Sequence, residues 1–485
     1  MRKHHSTPLL VAVVSAAIVA TPLAALAQQQ AGAPTGRMEV TTASETARAE
    51  YRQLVTEFSN LHYGAARAHG EKALAADPNL GLATVFLARP AVSPELSVAQ
   101  REAQLARGIA ALANASAPEL LFALYTREVV AGRTQSAQQA LRAAAALVPN
   151  DADVQYALHA TQRAGSSFAD AIRMDKEFLA RFPDYGPAYN THAYTLFTSG
   201  DRPAAYEAIQ NYVRLAPSQP NAHDTWADLL ILDGRFDEAL AHIQTSMKLD
   251  STWAGGALKT GAIKLVTTTP DDARTWFARA RDMSPSTASR IEPHYWVATS
   301  YVVTHDAKSA LRELSAIGDE VTAAQLPAAA GALVHQRMAI VEATIGNKQN
   351  VAAHLAKSAE VGGANTTAHT SRAVVAYAAI GDAAAAQTNA DLFAKAAPTN
   401  PFAHTLNALA AITAKDYARA ETELAQSGPM DLLAQELRAE VLKQQGKTAD
   451  ARAIKEQVLK RVVKADGSPA VDDAKLAARL RAEKI

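Results

Sequence analysis

The sequence predicts an all-α protein, an array of antiparallel helix pairs, and three columns of residues predict it. Ala137, Ala171, Ala205, Ala239 and Ala273 stand 34 residues apart. Pro149, Pro183, Pro217 and Pro285 keep the same period, with Ser251 in the one gap, and Gly132, Gly200 and Gly234 fall in phase with them. Glycine and proline number only 23 and 21 in 485 residues, so their phasing outweighs that of alanine in an alanine-rich chain. Self-similarity at one fixed period is the mark of a repeat architecture. A chain this long exceeds one compact core, and stacked repeats solve that problem without separate globular domains.

One repeat shows the task of each column. In "YNTHAYTLFTSGDRPAA", residues 189–205, Tyr189, Ala193 and Leu196 lie on one face of a first helix, and Ala205, Ile209 and Tyr212 do the same for a second. Small alanines let the two helices approach closely. Gly200 suits the left-handed conformation that ends a helix, Asp201 can cap the next, and Pro203 fits a first turn where no amide donor is required. Pro217 then ends the second helix. The following repeat reads alike, with His223, Ala227 and Leu230 on its first helix and Ala239 and Ile243 on its second.

With these residues in place the chain resembles the tetratricopeptide repeat family, whose unit is a 34-residue helix pair with small interhelical residues, a turn glycine and a terminal proline. Five consecutive units begin near Pro118, Ala152, Gly186, Pro220 and Ala254. Further units phase on residues 63–78, on Gly381 with Pro398, on residues 414–425 and on Gly446 with Ala451. The resemblance implies a right-handed superhelical solenoid of about ten or more helix pairs. Two stretches depart from the period. Residues 81–117 read as a longer, irregular helix pair, and spacing slips beyond 34 in residues 288–333. The second stretch divides an N-terminal array, 41–290 and most regular over 118–287, from a C-terminal array, 291–470; residues 471–485 read as a capping amphipathic helix. Tyr189-Asn190, His223-Asp224, Ala227-Asp228 and Gly234-Arg235-Phe236 also look like a subgroup of signal-bearing bacterial repeat proteins of unassigned function, which typically carry Tyr where this chain has His223.

The N-terminus points to a compartment. Arg2 and Lys3 precede an almost wholly apolar stretch at 9–23, and Ala25-Leu26-Ala27 forms an A-x-A site before Gln28. That is the pattern of a secretory signal peptide cleaved after Ala27. Thr21 and Pro22 interrupt a run already short of the roughly 20 residues a spanning helix needs. Residues 28–40, rich in Gln, Gly and Pro, read as a flexible leader. Lys plus Arg and Asp plus Glu are both 48, so no net field draws in nucleic acid or an acidic membrane surface. The absence of cysteine removes disulfides, thiolate metal sites and thiol nucleophiles. A periplasmic or secreted protein fits.

Catalytic motifs are missing: no H-E-x-x-H, G-x-S-x-G, P-loop or G-x-G-x-x-G occurs. No enzyme activity, cofactor or metal is expected. Fourteen histidines are mostly one per helix, with His159 and His192 near the close interhelical contact, and a metal site would need two or three to converge with a carboxylate. Asp271-Asp272 and Asp472-Asp473 read as helix-start charges. Trp226, Trp253, Trp276 and Trp296 fall at core-like phases. In the family that this chain resembles, first helices line a concave groove for peptides or partner helices. Carrying those positions over gives Phe122, Tyr156, Asn190, Asp224 and Leu258 as one column and Thr126, Ala160, Tyr194, Asp228 and Ala262 as another. Tyr156, Arg163, Asn190, Tyr194, Asp224 and Asp228 are thus the candidate partner-binding residues. The competing reading has Asn190 and Asp224 bonding neighbouring helices. The function expected is an extracytoplasmic scaffold that binds a protein or peptide; the alternative is a small-molecule or cell-wall glycan module with aromatics stacked on sugars.

Overall fold

The computed structural model describes residues 36–284, 286–428 and 431–459, and every described element is helical. The expected signal peptide with its cleavage site, most of the leader, Pro285, Asp472-Asp473 and the capping helix lie outside the described residues. Contacts divide the chain into two units, meeting at Ala188 and Tyr189. The first holds α1 (Glu45–Ser59), α2 (Tyr63–Ala76), α3 (Gly81–Leu87), α4 (Val98–Ala111), α5 (Ala117–Val130), α6 (Thr134–Leu147), α7 (Ala152–Arg163) and α8 (Phe168–Arg181).

The second unit takes in nearly all of α9 (Gly186–Ser199), then α10 (Arg202–Leu215), α11 (Pro220–Leu232), α12 (Phe236–Leu249), α13 (Ala254–Thr267), α14 (Pro270–Met283), α15 (Thr287–Val303) and α16 (Ala307–Ala323). It continues through α17 (Ala328–Thr344), α18 (Lys348–Gly362), α19 (Thr367–Ala379), α20 (Ala383–Ala396), α21 (Phe402–Thr413), α22 (Tyr417–Leu424), α23 (Leu432–Gln444) and α24 (Thr448–Leu459).

Each unit is a helical-repeat stack, and in the second a recurring two-residue junction joins paired helices. Gly200 takes φ +100°, which L side chains adopt only at a cost, and Asp201 then closes the helix end by donating its N–H to the Leu196 carbonyl at 2.9 Å. The Asp201 carboxylate accepts from the Ala204 amide at 3.2 Å and so caps α10. His305-Asp306, Gly381-Asp382 and Lys415-Asp416 repeat the device, each with a left-handed residue followed by an aspartate that caps the next helix. The turn conformation is what repeats; glycine is only its commonest occupant.

Between paired helices lie the alanines. Ala205, Ala239 and Ala273 are wholly buried, as are Ala386 and Ala420 further along. First helices also touch one another across repeats: α13, α15, α17, α19, α21 and α23 each pack against the next in the series. The second unit therefore contains a continuous wall of first helices, each covered by its own partner. α5, α7, α9, α11 and α13 begin at Ala117, Ala152, Gly186, Pro220 and Ala254, within a residue of the sequence phasing. Where the period slips, α15, α16 and α17 are each 17 residues long, so the repeat lengthens without losing its plan.

The stretch 81–117 differs from the expected longer helix pair. α3 has only seven residues, all buried, and residues 88–97 form a loop before α4. The short helix packs closely on α4: a Cβ on Gly81 would stand 2.5 Å from the Gly108 carbonyl oxygen. Arg101 holds the loop by donating to the carbonyls of Ala88, Ser93 and Leu96 at 2.5, 2.9 and 3.1 Å. Residues 36–40, assigned to the leader by composition, are docked rather than free. The Met38 amide donates to Asp151 at 3.0 Å and Val40 is buried, because the acidic cap of α7 accepts the incoming strand of backbone.

These geometries separate two kinds of glycine. Gly81→Ala forces α3 from α4 and is expected to cost about 1–3 kcal/mol. Gly200→Ala meets no atom within 4 Å and carries only the left-handed penalty of about 1–2 kcal/mol. Site-resolved hydrogen exchange should show the first opening α3 and α4 and the second fraying only the α9–α10 turn.

Candidate functional site

The second unit gathers four of the six candidate residues in one polar cluster on its first helices. Asn190 on α9 accepts at Oδ1 from the Thr225 hydroxyl of α11 at 2.9 Å. The Tyr194 hydroxyl, also on α9, donates to Asp228 Oδ2 at 2.6 Å. Asp224 and Asp228, one turn apart on α11, converge on Lys259 of α13. Its ammonium lies 2.5 Å from Asp224 Oδ1 and pairs closely with Asp228 Oδ1, with the Trp253 ring 5.5 Å away. Three successive first helices are thereby tied in series.

Sequence columns missed Lys259 because they step by 34 and select Leu258. Two of the ties step by 35, Asn190 to Thr225 and Asp224 to Lys259, while Tyr194 to Asp228 keeps the column step of 34. A residue one place beyond the column faces the previous helix, which is the signal that could have found it.

Burial dominates the electrostatics. Asp228 is 4% exposed and Lys259 likewise 4%. Loss of solvent raises Asp228 to about 7 despite the lysine, and Asp224 adds repulsion. Asp224 moves up for the same first reason. Lys259 is pushed above its ordinary range: two carboxylates outweigh its own desolvation. One cation held between two buried carboxylates favours retaining a proton on the acidic pair.

Tyr156 and Arg163 belong to the first unit and to a different cluster. Asp175 on α8, 1% exposed, is clasped by His159 Nε2 at 2.8 Å and Arg163 Nε at 3.0 Å. The Tyr156 hydroxyl donates to the Pro187 carbonyl at 3.1 Å, and its ring packs on Phe178 and Tyr185. Arg163 is here an ion-pair partner of a buried acid. Of the remaining column positions, Phe122, Thr126, Leu258 and Ala262 are buried.

Three of the four tryptophans expected at core-like phases are packed there, while Trp253 stands at the N-cap position of α13. Trp296 is buried and stacks on Phe277, Trp276 lines the same core, and Trp226 stacks on His242 at 4.3 Å. Asp271 and Asp272 sit in the first turn of α14. Among the described residues no helix is long and apolar enough to cross a membrane, and no group of three or more His, Asp or Glu is placed to hold a metal.

Histidines form a second pattern that sequence reading passed over. His223 on α11 meets His242 on α12, His294 on α15 meets Glu313 on α16, His335 on α17 meets His354 on α18, and His404 on α21 meets Glu423 on α22. Every pair is 19 residues apart, and in the first unit Glu50 and His69 share that separation. The register is that of a first helix against its own second helix.

No family model matches the chain, and no curated protein matches it. Among solved structures it is similar to a tetratricopeptide repeat protein from Parabacteroides merdae, at 15% identity and TM-score 0.38, over 51% of this chain and 93% of that one. It is also similar to yeast Tom70, at 15% identity and TM-score 0.44, over 85% of this chain and 96% of that one.

The buried cluster gives two expectations. An unfolded aspartate titrates near 4 and folded Asp228 at about 7, so its protonation favours the folded state. That contribution is full below about pH 4 and is lost as pH rises through 7. Wild type should therefore lose more melting temperature than Asp228→Asn between pH 5.5 and 8.5; equal slopes would remove Asp228 as the cause. Lys259→Met, which leaves both carboxylates buried and unpaired, should cost about 3–5 kcal/mol at neutral pH.

Proposed function

We propose that the chain is a non-catalytic, extracytoplasmic scaffold that holds a protein or peptide partner along its first helices. The observation that carries this reading is the continuous series of first helices in the second unit, α13 to α23, each touching the next. A one-sided stack of helix ends and polar faces offers an extended surface rather than an enclosed pocket, and an extended surface suits a chain-like ligand. Tetratricopeptide-like folds act in general as protein-interaction platforms, which supports the same class of partner. Export is proposed from the N-terminal basic, apolar and A-x-A pattern.

The cluster around Lys259 is then the brace beneath the surface and not its contact layer. Asn190 and Tyr194, only partly buried, stand at its rim. The packing found for Trp226, Trp276 and Trp296 weighs against the glycan alternative, because ring faces committed to neighbouring side chains are not presented to sugars.

Two measurements test the reading. Cell fractionation with N-terminal sequencing should recover the protein outside the cytoplasm beginning at Gln28. Co-purification from the cell envelope should return a stoichiometric protein partner that Asn190→Ala with Tyr194→Phe releases at a temperature where the variant keeps full helicity. A preparation that carries only saccharide, or a partner indifferent to those changes, would overturn it.

A further inference from the structure

We propose that His223 and His242 form a binding site for a divalent late transition metal, with Cu²⁺ the best fit, on the α11–α12 helix pair. The two Nδ1 atoms lie 3.0 Å apart on facing helices. Nitrogen ligands bind such ions at about 2.0–2.1 Å, so two nitrogens at that separation subtend nearly a right angle at one metal. That is the cis angle of a tetragonal site, the geometry Cu²⁺ and Ni²⁺ prefer, and Cu²⁺ leads the affinity order for nitrogen donors.

Ring motion is already restricted. Trp226 stacks on the His242 ring with centroids 4.3 Å apart and an interplanar angle of 23°. The two imidazole centroids are 5.3 Å apart at 30°. Held rings lose little conformational freedom when a metal enters, and each must turn from the shared hydrogen-bond line for both lone pairs to meet one ion beside it.

Protonation suits the role. Burial holds His223 below the ordinary imidazole range, and burial with the neighbouring His223 takes His242 to about 4. Both rings are thus neutral at pH 7. In the metal-free chain the Nδ1 contact has one ring donating N–H and the other accepting. Loading both Nδ1 atoms asks the donor ring to move its proton to Nε2, a change of tautomer with no net loss of a proton.

Two imidazoles do not fill a coordination sphere. Glu238, one turn before His242 on α12, is the carboxylate close enough to act on that ring electrostatically. It now pairs with Arg235 at 2.6 and 2.7 Å on the exposed side of the helix. Glu238 stays with Arg235, and water would take the remaining positions.

The same juxtaposition recurs at His335 and His354, whose Nδ1 atoms are 3.3 Å apart with stacked rings. Two of the four helix pairs tied at this register in the second unit thus carry imidazole where the other two carry glutamate. Lys357, close enough to His335 to lower its proton affinity, repels a cation there. The second pair should accordingly bind more weakly than the first.

The test is titration of the whole purified chain with Cu²⁺ at pH 7.5, followed by electron paramagnetic resonance and by thermal shift. The expected result is a tetragonal signal with two coordinated imidazole nitrogens, a metal-dependent rise in melting temperature, and loss of more than about tenfold in affinity for His223→Phe. His242→Gln, which keeps a polar partner for His223, stands in if that variant fails to fold. Cu²⁺ affinity and spectrum unchanged in both variants, or a pair that stays metal-free while surface histidines load, would show that His223 and His242 are only a hydrogen-bonded tie.

Discussion

A first helix in the second unit is packed on two sides, against its own second helix and against the first helix of the next repeat, and most other features follow from that double contact. Where the paired helices approach most closely the inner contact takes small side chains, and Ala205, Ala239 and Ala273 are wholly buried there. The outer contact crosses from one repeat to the next and carries a second set of polar groups. A polar side chain placed there loses water and must find its partner on the neighbouring first helix. Asn190 with Thr225, Tyr194 with Asp228 and Asp224 with Lys259 are the outcome.

Such a network is a poor source of net stability, since the desolvation of two carboxylates and an ammonium offsets much of their attraction. Its physical consequence is register. Sliding α13 by one turn against α11 would leave the Lys259 ammonium and both carboxylates buried without partners, whereas an apolar seam would lose only part of its contact. Charge at this seam thus fixes how three consecutive repeats stack, and the helix-pair core supplies the stability that makes the arrangement tolerable.

The fold was legible because its junctions are written in unusual residues. Gly132, Gly200 and Gly234 all take positive φ, and the aspartate after Gly200 caps the next helix as its position suggested. Legibility fell where the same turn is made by other residues. His305, Gln325 and Lys415 adopt the left-handed conformation without announcing it, and three 17-residue helices push the turns out of phase. The short α3 was unreadable for a different reason. Its seating on α4 depends on the approach of Gly81 to Gly108, a contact between residues 27 positions apart that no local pattern encodes.

The candidate cluster was half legible on the same grounds. Column positions found Asn190, Tyr194, Asp224 and Asp228 because first-helix residues recur at the repeat length. They could not find Lys259, whose long side chain reaches back from the adjacent column, nor separate a residue that faces a ligand from one that faces the next helix. That distinction depends on how deeply the seam is buried, and Asp228 and Lys259 at 4% exposure lie on its inner side. The histidine register carries the same lesson in reverse. A spacing of 19 is invisible to a search at 34, yet it is the distance across one helix-turn-helix from first helix to second. Pairing within a repeat and pairing between repeats therefore leave two different periods in one sequence, and a polar residue in an array of this kind is understood only after it is known which of the two it obeys.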